Sequence, residues 1–463
     1  MKKTEFTKSR NIKNILFFSL MVFLFSCQDN DKKNTEKING FTHVEWSKDA
    51  VIYEVNVRQF TAEGTFAAFE KHLPRLSEMG VDILWLMPIN PVGLKNRKGS
   101  LGSYYSVKDY KAVNPEYGNM DDFKKLVNEA HKLGMHVILD WVANHTSWDN
   151  KMIEEHPEWY TKDSLGNFVS PFDWSDVVDL NYENEEMQEY MIGALKFWIE
   201  EANIDGYRCD VAGMVPVEFW DKARAELDKI KPVFMLAEAE EVKHHKNAFD
   251  MSYGWDFHHI MNEIAKGNKN ANDAEKYFIK NDKNYPEDAY RMYFTSNHDE
   301  NSWNGTEFER MGDAAKTFAV FSFMIPGMPL IYSGQEAALN KRLAFFEKDT
   351  IIWGDIELEK FYKNLIQIKK KNEALWNGTS GGKLVRINSS DNENVFAFVR
   401  EKNGNKIFAI FNFSGEKQYV TFEGDKFIGE YINAFTGKEA KFSANENLEI
   451  EPWGYFVFEG KNI

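Results

Sequence analysis

The segment VDILWLMP (81–88) is followed along the chain by MDDFKKLVNEAHKLG (120–134) and then by MHVILDWV (135–142). The first and third segments are short apolar runs of strand length. The second repeats its apolar residues at the spacing of an amphipathic helix and ends in Gly134, a residue suited to a helix C-terminus. Two buried strands joined by a helix are typical of a parallel β-α-β unit, so the number of repeats of this unit decides the predicted fold.

Strand-like apolar runs recur between Ala50 and Glu336, with helical segments between them. The eight runs are AVIYEVNV (50–57), VDILWLMP (81–88), MHVILDWV (135–142), IDGYRCDV (204–211), PVFMLAEA (232–239), MSYGWDF (251–257), MYFTSNHD (292–299) and MPLIYSGQE (328–336). Eight strands fit one closed barrel better than a doubly wound sheet, which seldom needs so many. The predicted fold of residues 44–376 is therefore α/β, a (β/α)8 TIM barrel.

Two regions depart from the repeating unit. The interval from Asn144 to about Asn203 is longer than the others and rich in Trp, Asp and Pro, which predicts a small insert domain after strand 3, about residues 146–182. After residue 376 the pattern changes to alternating residues separated by Asn/Gly turns, as in KIFAIFNF and YFVFEG. This change predicts a C-terminal antiparallel β-sandwich domain over residues 377–463.

The first 26 residues have the pattern of an export signal. Basic residues are concentrated in residues 1–14, and the apolar run ILFFSLMVFLFS (15–26) that follows is too short to span a bilayer. The run ends in LFSC, which resembles a bacterial lipobox with Cys27 as the lipidated residue. We therefore predict a lipoprotein signal peptide over 1–26 and a flexible polar tether over 27–43; an uncleaved anchor helix and a soluble secreted protein are the alternatives. The predicted location is the bacterial envelope, with the exported protein held to a membrane through Cys27.

The composition excludes some classes of protein. A hydrophobic content of 43% and an aromatic content of 15% support a large folded core and argue against a disordered chain. The formal net charge of -16 opposes binding to phosphate backbones, so no nucleic-acid partner is predicted. Two cysteines, Cys27 and Cys209, are too few for a disulfide framework or a Cys-rich zinc site.

Polar residues interrupt the apolar runs where four of the predicted strands end. These interruptions are DWVANH (140–145), GYRCD (206–210), AEAEE (237–241) and FTSNHD (294–299). Barrel enzymes place their chemistry at the C-terminal ends of the strands, and these ends converge on one mouth. The arrangement predicts that the carboxylates of Asp210, Glu238 and Asp299 meet at a single pocket.

Two carboxyl groups in one pocket can divide the work of glycoside cleavage, one as an ionised nucleophile and one as a protonated acid. Arg208 lies two positions before Asp210 and shares its strand face, so we expect it to lower the pKa of Asp210. Glu238, held among other carboxylates, is expected to have a raised pKa. This difference between the two groups is what a retaining mechanism needs.

The four segments resemble the signature regions of the α-amylase family of glycoside hydrolases. Connecting text such as VIYEVNVRQF, GVDILWLMPINP and GMPLIYSGQE resembles that family in the same order along the whole barrel. The resemblance implies that Asp210 is the nucleophile, that Glu238 is the general acid and base, and that Asp299 holds sugar hydroxyls.

The same resemblance implies further contacts with the sugar. The implied substrate-binding residues are Tyr105, His145, Arg208 and His298. Tyr105 is expected to stack beneath the sugar ring, because an aromatic face suits the C–H surface of a sugar. Four tryptophans near the mouth are candidate sugar platforms, of which one or two are expected to touch substrate: Trp141, Trp148, Trp174 and Trp303.

The resemblance also implies a possible structural calcium ion, although it implies no cofactor for the chemistry. The family often binds calcium between positions that correspond here to Asn144 and Asp179, and oxygen ligands suit this cation. The alternative is that Asn144 simply holds the insert loop by hydrogen bonds. Two histidine pairs, His244-His245 and His258-His259, lack metal-like partners and are predicted to be solvated loop residues.

The function implied by the resemblance is retaining hydrolysis of α-1,4-glucosidic bonds in starch-derived α-glucans and maltooligosaccharides. Many endo-acting members have a Lys-His pair where this chain has Gly213 and Met214. An exo-acting α-glucosidase, a neopullulanase-like enzyme and a glucan transferase of the same family therefore stay open. The alternative from another class is a noncatalytic starch-binding lipoprotein, against which the three carboxylates argue.

Overall fold

The computed structural model describes residues 41–354, 356–444 and 447–461. The predicted signal peptide, the lipidation site Cys27 and most of the predicted tether lie outside the described residues. Within those described ranges, no helix combines the length and the apolar character needed to cross a membrane.

Eight parallel strands close into a barrel, which confirms the predicted (β/α)8 fold. The barrel strands and the two strands of the insert, numbered in chain order, are β1 (Ile52–Val55), β2 (Ile83–Leu86), β3 (His136–Trp141), β4 (His145–Ser147), β5 (Val177–Asp179), β6 (Gly206–Cys209), β7 (Phe234–Ala237), β8 (Met251–Tyr253), β9 (Tyr290–Tyr293) and β10 (Met328–Tyr332). The ring order is β1-β10-β9-β8-β7-β6-β3-β2, which returns to β1. Each predicted run contains or overlaps one barrel strand.

The helices follow the strands as the periodicity predicts. The α-helices of the described residues are α1 (Val57–Phe60), α2 (Phe66–Glu70), α3 (Leu73–Met79), α4 (Met120–Lys132), α5 (Met152–Glu155), α6 (Glu185–Ala202), α7 (Val217–Leu227), α8 (Trp255–Ala265), α9 (Ala271–Asn284), α10 (Glu307–Met311), α11 (Ala315–Met324) and α12 (Glu359–Lys371). Helix α4 begins with a capping box, in which Asn119 accepts from the backbone N–H of Asp122 and the Asp122 side chain accepts from that of Asn119. Its apolar face is buried in the core between barrel and helices.

Side chains from the strands fill the barrel interior, among them Ile52, Ile83, Ile138, Phe234, Met292 and Leu330. Charged groups also lie within this packing, among them Arg208 and its buried partner Asp140. The guanidinium of Arg208 lies 5.0 Å from the ring centroid of Trp85 and 5.6 Å from that of Tyr253. The interior is thus a packed core that carries a fixed positive charge beneath its mouth.

The insert after β3 is a β-hairpin with irregular flanking segments. Strands β4 and β5 pair antiparallel, with His145 opposite Asp179. The backbone N–H of Leu180 donates to the carbonyl oxygen of Asn144 at 3.0 Å, which closes the base of the hairpin. The hairpin therefore starts at the C-terminal end of a barrel strand and belongs to the rim of the mouth.

The C-terminal strands form two antiparallel sheets, which confirms the predicted all-β domain. They are β11 (Val385–Ile387), β12 (Val395–Lys402), β13 (Asn405–Asn412), β14 (Gln418–Val420), β15 (Gly429–Asn433), β16 (Glu439–Phe442), β17 (Leu448–Ile450) and β18 (Tyr455–Gly460). The larger sheet has the order β11-β12-β13-β18-β15-β16, and β14 pairs with β17. One face of the larger sheet packs on the smaller sheet, and the other packs on α11, where the ring centroids of Phe321 and Phe411 are 4.8 Å apart.

Candidate active site

A cavity of about 660 Å³ lies at the C-terminal ends of the barrel strands. Its walls come from the segments that follow β2, β6, β7, β9 and β10 and from the insert. Six of the predicted site residues line it: Tyr105, His145, Asp210, Glu238, His298 and Asp299. The structure therefore brings the three predicted carboxylates to one pocket, while their catalytic roles stay predictions.

Asp210 and Glu238 follow neighbouring strands that are held unusually close. Gly206 of β6 has a φ of +152°, and a Cβ at this position would lie 1.9 Å from the carbonyl oxygen of Phe234 in β7, so no other residue fits. Cys209 and Ala237 are paired residues of the two strands, which places the next residues, Asp210 and Glu238, side by side.

The backbone after Asp210 turns to meet Glu238. Val211 has a φ of +36°, in the left-handed region that β-branched residues seldom adopt. In this conformation its backbone N–H donates to Glu238 Oε2 at 2.7 Å. The conformation of one strained residue thus fixes the orientation of the carboxyl group beside Asp210.

Arg208 lies under the pocket and holds its carboxylates. Its Nη1 donates to Asp210 Oδ1 at 3.0 Å and to Asp140 Oδ1 at 2.8 Å, and its Nη2 lies 2.9 Å from Glu238 Oε1. The side chain is fully buried and is not among the residues that line the cavity. Arg208 therefore contacts the carboxylates of the pocket from below, and its implied contact with the sugar stays a prediction.

The predicted pKa direction is confirmed for Glu238 and is wrong for Asp210. Burial raises the pKa of Glu238 against the opposing charge of Arg208, as expected. However, burial also raises the pKa of Asp210, and the nearby carboxylates of Glu238 and Asp140 add to this effect, so that Arg208 does not bring it below the ordinary value. The guanidinium is shared by three carboxylates, so each receives part of its charge. A raised pKa favours the protonated form of a carboxyl group, and a carboxylate pair with one proton is the state that acid and nucleophile roles require.

His298 is a cation held between acids. Its Nδ1 hydrogen-bonds the buried carboxylate of Glu54, and its Nε2 lies 2.7 Å from the hydroxyl of Tyr105 and 3.3 Å from Asp299 Oδ2. Burial opposes the charged imidazolium, but Asp299 and Glu54 outweigh burial and raise the pKa of His298 to about 9. The Tyr105 hydroxyl donates in turn to Asp140 Oδ2 at 3.0 Å, so one hydrogen-bonded chain orders this wall of the pocket.

His145 has the opposite electrostatic state. Burial lowers the pKa of His145 to about 4, so its imidazole is neutral at physiological pH. Trp174 packs edge-on against it at a centroid distance of 5.4 Å. Of the four candidate tryptophan platforms, Trp174 and Trp303 line the cavity, whereas Trp141 is buried in the core.

The two residues implied as calcium ligands, Asn144 and Asp179, contact each other directly. The side-chain nitrogen of Asn144 donates to Asp179 Oδ1 at 3.3 Å. A hydrogen bond between these two side chains is what the alternative reading of Asn144 requires, and the calcium ion stays a prediction. In the described ranges no group of three or more His, Cys, Asp or Glu side chains could hold a metal ion. The donor set favours the alternative, in which Asn144 holds the insert by hydrogen bonds.

The prediction for the paired histidines is wrong for three of the four residues. His244, His245 and His258 are buried, because each ring lies beside a polar partner within the fold. His245 Nε2, for example, lies 2.7 Å from the hydroxyl oxygen of Ser252. The thiol of Cys209 is buried in the packing around the barrel.

Two acids of the site were absent from the sequence prediction. Glu54 in β1 and Asp140 in β3 are both nearly or fully inaccessible to solvent and carry the hydrogen bonds of His298, Tyr105 and Arg208. Each is a lone acid inside an apolar run, which is the signal that could have identified it. In the loops after β2 and β10, Tyr105 was implied by the family resemblance, whereas the other lining residues, Lys98, Ser103, Phe345 and Phe346, have no comparable signal in the sequence.

Comparison with known proteins agrees with this geometry. The family model described as "Alpha amylase, catalytic domain" matches residues 22–164 and 152–375. The chain belongs to the α-amylase family. The model described as "Alpha amylase, C-terminal all-beta domain" matches residues 387–459 of this α-amylase family chain.

Individual members of the family are similar over most of their length. The crystal structure of a noncanonic maltogenic α-amylase from Thermotoga neapolitana is 30% identical, with a TM-score of 0.82, over 90% of this chain and 99% of that one. Alpha-amylase 2 of Dictyoglomus thermophilum is 25% identical over 93% of this chain and 81% of that protein. Neopullulanase 2 of Thermoactinomyces vulgaris is 26% identical over 91% and 79%. The protein is therefore an enzyme, a glycoside hydrolase of the α-amylase family.

Proposed function

We propose that the enzyme hydrolyses α-1,4-glucosidic bonds of starch-derived glucans and maltooligosaccharides with retention of anomeric configuration. The observation that carries the proposal is the shared contact of Asp210 and Glu238 with one guanidinium, at the ends of adjacent strands and in one pocket. Two carboxyl groups so placed can reach the two sides of a single glycosidic bond. The maltogenic amylase and the neopullulanase among the relatives favour α-glucans as the substrate class.

In the first step, Asp210 attacks the anomeric carbon while Glu238 gives its proton to the glycosidic oxygen, and the bond to the leaving sugar breaks. The sugar stays bound to Asp210 through an ester of inverted configuration. In the second step, Glu238 takes a proton from water, whose oxygen attacks the same carbon and releases Asp210. Two inversions give net retention, and the excess of carboxylates around the pocket stabilises the positive charge that develops on the sugar.

Asp299 and the neutral His145 are placed to bind hydroxyls of the same sugar. The Asp299 carboxylate accepts hydrogen bonds and is about one-third exposed in the free pocket. The imidazole of His145 lines the opposite wall.

The test is a time course with maltoheptaose, followed by proton NMR during the first minutes. The proposal expects new reducing ends that first accumulate as the α-anomer and then mutarotate. Accumulation of the β-anomer would show single inversion and contradict the two-step route. Products longer than maltoheptaose would favour a glucan transferase, and α-glucosidic linkages other than 1,4 in those products would identify its preference.

We also propose that Cys27 anchors the enzyme to a bacterial membrane. What supports this is the LFSC sequence that ends the apolar run, followed by a polar segment of tether composition. Expression in a bacterial host with radiolabelled palmitate should give a labelled, detergent-phase protein, and Cys27→Ala should give an unlabelled one. The same label in Cys27→Ala would reject the site.

A further inference from the structure

One side of the pocket is closed by loops that are bonded to one another. We propose that the enzyme acts from the non-reducing end of its glucan, with Lys98 and Phe346 at the closed end of the pocket in contact with the terminal sugars. This inference rests on the proposed function and specifies the end of the substrate on which it acts.

The barrel topology places the closed side opposite the general acid. In the ring order, β1 is four strands away from β7 in either direction, so the two strands face each other across the mouth. Glu238 follows β7, whereas the closing loops follow β2 and β10, the two neighbours of β1. The group that protonates the glycosidic oxygen must face the leaving chain. The leaving chain therefore extends on the Glu238 side, and the sugars toward the non-reducing end occupy the opposite side.

The loop over residues 93–102, which we call the belt, is fixed to the insert at its first half. Lys98 Nζ lies 3.0 Å from Asp176 Oδ1, and that carboxylate is almost fully buried. The backbone N–H of Leu94 donates to the Asp149 carboxylate at 3.1 Å. The belt therefore bridges from the loop after β2 to the insert that follows β3.

The second half of the belt is fixed to the segment after β10. The backbone N–H of Leu101 donates to the carbonyl oxygen of Phe346 at 3.0 Å, and that of Ser100 donates to Glu347 Oε1 at 3.0 Å. A side chain at Gly99 would collide with Phe346, whose Cβ would lie 2.5 Å from the added carbon. The contact is thus as close as the two backbones allow, and a glucan chain cannot pass between them.

The wall behind this contact is aromatic and suits a sugar that stops there. Phe345 stacks on Tyr105 with a centroid distance of 6.2 Å and an interplanar angle of 15°, and Trp303 packs on Phe345 at 5.1 Å. Trp303 is 53% exposed and presents a free ring to the cavity. The ammonium of Lys98 adds hydrogen-bond donors for terminal hydroxyls. Apolar faces with a few polar groups at a closed end are typical of a pocket that holds the end of a ligand.

The experiment compares two p-nitrophenyl maltoheptaosides that differ only in a benzylidene group on O4 and O6 of the non-reducing-end sugar. Loss of intact substrate is followed by chromatography. We expect kcat/KM for the blocked substrate to be lower by about tenfold or more, because its end cannot seat against the belt. Equal values for the two substrates would overturn this inference alone. Hydrolysis of neither would overturn the proposed function, and the inference with it.

Two lysine variants locate the effect. Lys98→Ala removes the side chain at the closed end, and Lys108→Ala removes a nearby lysine that pairs with Asp149 at 3.0 Å but does not line the cavity. Lys98→Ala is expected to lower the ratio of kcat/KM for the free substrate to kcat/KM for the blocked substrate by about threefold or more. Lys108→Ala is expected to leave this ratio unchanged. An unchanged difference in Lys98→Ala, with normal folding, would overturn the assignment of Lys98.

Discussion

Arg208 and Arg224 are both buried arginines that pair with acids of the barrel, but they lie at opposite ends of it. Arg224 of α7 donates to Asp250 Oδ2 and to Asp228 Oδ2, each at 2.8 Å, and Asp250 lies just before β8 at the N-terminal end of the strands. His43 adds a second partner, with Nδ1 2.7 Å from Asp250 Oδ1. Arg208, at the other end, is shared by three carboxylates.

The difference in charge balance gives the two clusters opposite proton affinities. Burial raises the pKa of the acid in both places. Arg224 and His43 overcome burial at Asp250, so the pKa of Asp250 is lowered. At Asp210, burial and the additional carboxylates outweigh the charge of Arg208, so the pKa of Asp210 is raised. A cluster in which cations outweigh burial lowers the pKa of its acid and stabilises the fold. A cluster with an excess of carboxylates raises the pKa of its acids, which suits groups that exchange protons in a reaction.

The largest expected effect is on turnover in Asp210→Asn. An amide cannot form the glycosyl ester, so we expect kcat to fall by about four orders of magnitude or more. The substitution removes one of several crowded negative charges, so the melting temperature should not fall. Initial rates on maltoheptaose and a thermal melt measure the two quantities, and near-normal hydrolysis would reject Asp210 as nucleophile.

Asp250→Asn should show the reverse pattern. Loss of the carboxylate leaves Arg224 and His43 without their common buried partner, which is expected to destabilise the fold by about 3–5 kcal/mol. The free energy of unfolding is measured in urea, and kcat of the folded variant should stay near the wild-type value. A large loss of kcat without a loss of stability would remove the distinction between the two clusters.

Glu54→Gln tests whether the acid behind the pocket sets the charge of His298. Wild-type His298, with its pKa of about 9, keeps its proton at neutral pH and loses it as the pH rises through about 9. Without the Glu54 charge, Asp299 is left to oppose burial, so the pKa of His298 falls and the basic limb of the kcat/KM profile should move to lower pH.

Glu307→Gln is the matched control for this prediction. Glu307 is also buried, and it bonds Thr295 Oγ1 at 2.6 Å instead of a histidine of the pocket. Its pH profile should coincide with that of the wild type. If Glu54→Gln also keeps the wild-type profile, Glu54 does not control the protonation of His298.

The smallest effect is on the pH dependence of stability. The raised pKa of Asp210 means that the folded protein holds a proton which the unfolded chain has already released, so this group lowers stability as the pH rises above the ordinary range of a carboxyl group. The melting temperature of Asp210→Asn relative to wild type should therefore increase by about 2 °C between about pH 4 and about pH 7.

Asp250→Asn should have the opposite pH trend. The lowered pKa of Asp250 stabilises the fold above the ordinary carboxyl pKa, and this stabilisation is lost as the pH falls through the lowered value. The destabilisation by Asp250→Asn should thus be greatest at neutral pH and smaller in acid. If the stability of both variants relative to wild type changes with pH in the same direction, charge balance does not distinguish the two clusters.

The barrel could be predicted from the sequence because its strands are buried on both faces and form continuous apolar runs such as VDILWLMP (81–88). Strands of the C-terminal domain with mixed exposure are harder to identify. Gly429–Asn433, for example, has one buried residue among five, so its text contains no run of strand type. The burial that makes a sequence pattern visible is absent from this short strand, although it pairs with a strand on each side.

The site could be predicted in part for a related reason. Asp210 and Glu238 stand out because they end apolar runs. The pairing of Glu54 with His298 joins residues 244 positions apart, which no local spacing reveals. The pKa of Asp210 was predicted in the wrong direction because the prediction weighed Arg208, two positions away, and included neither the burial of Asp210 nor the competing carboxylate of Asp140.

The aromatic contact of the C-terminal sheet with α11 limits how this protein can be re-engineered. The ring of Phe321 contacts four phenylalanines of the C-terminal domain, which are Phe396, Phe398, Phe411 and Phe413. A barrel expressed without the C-terminal domain would expose this apolar surface to water and is expected to self-associate. Replacement of the C-terminal domain would therefore require a domain that presents an equivalent set of aromatic rings to α11.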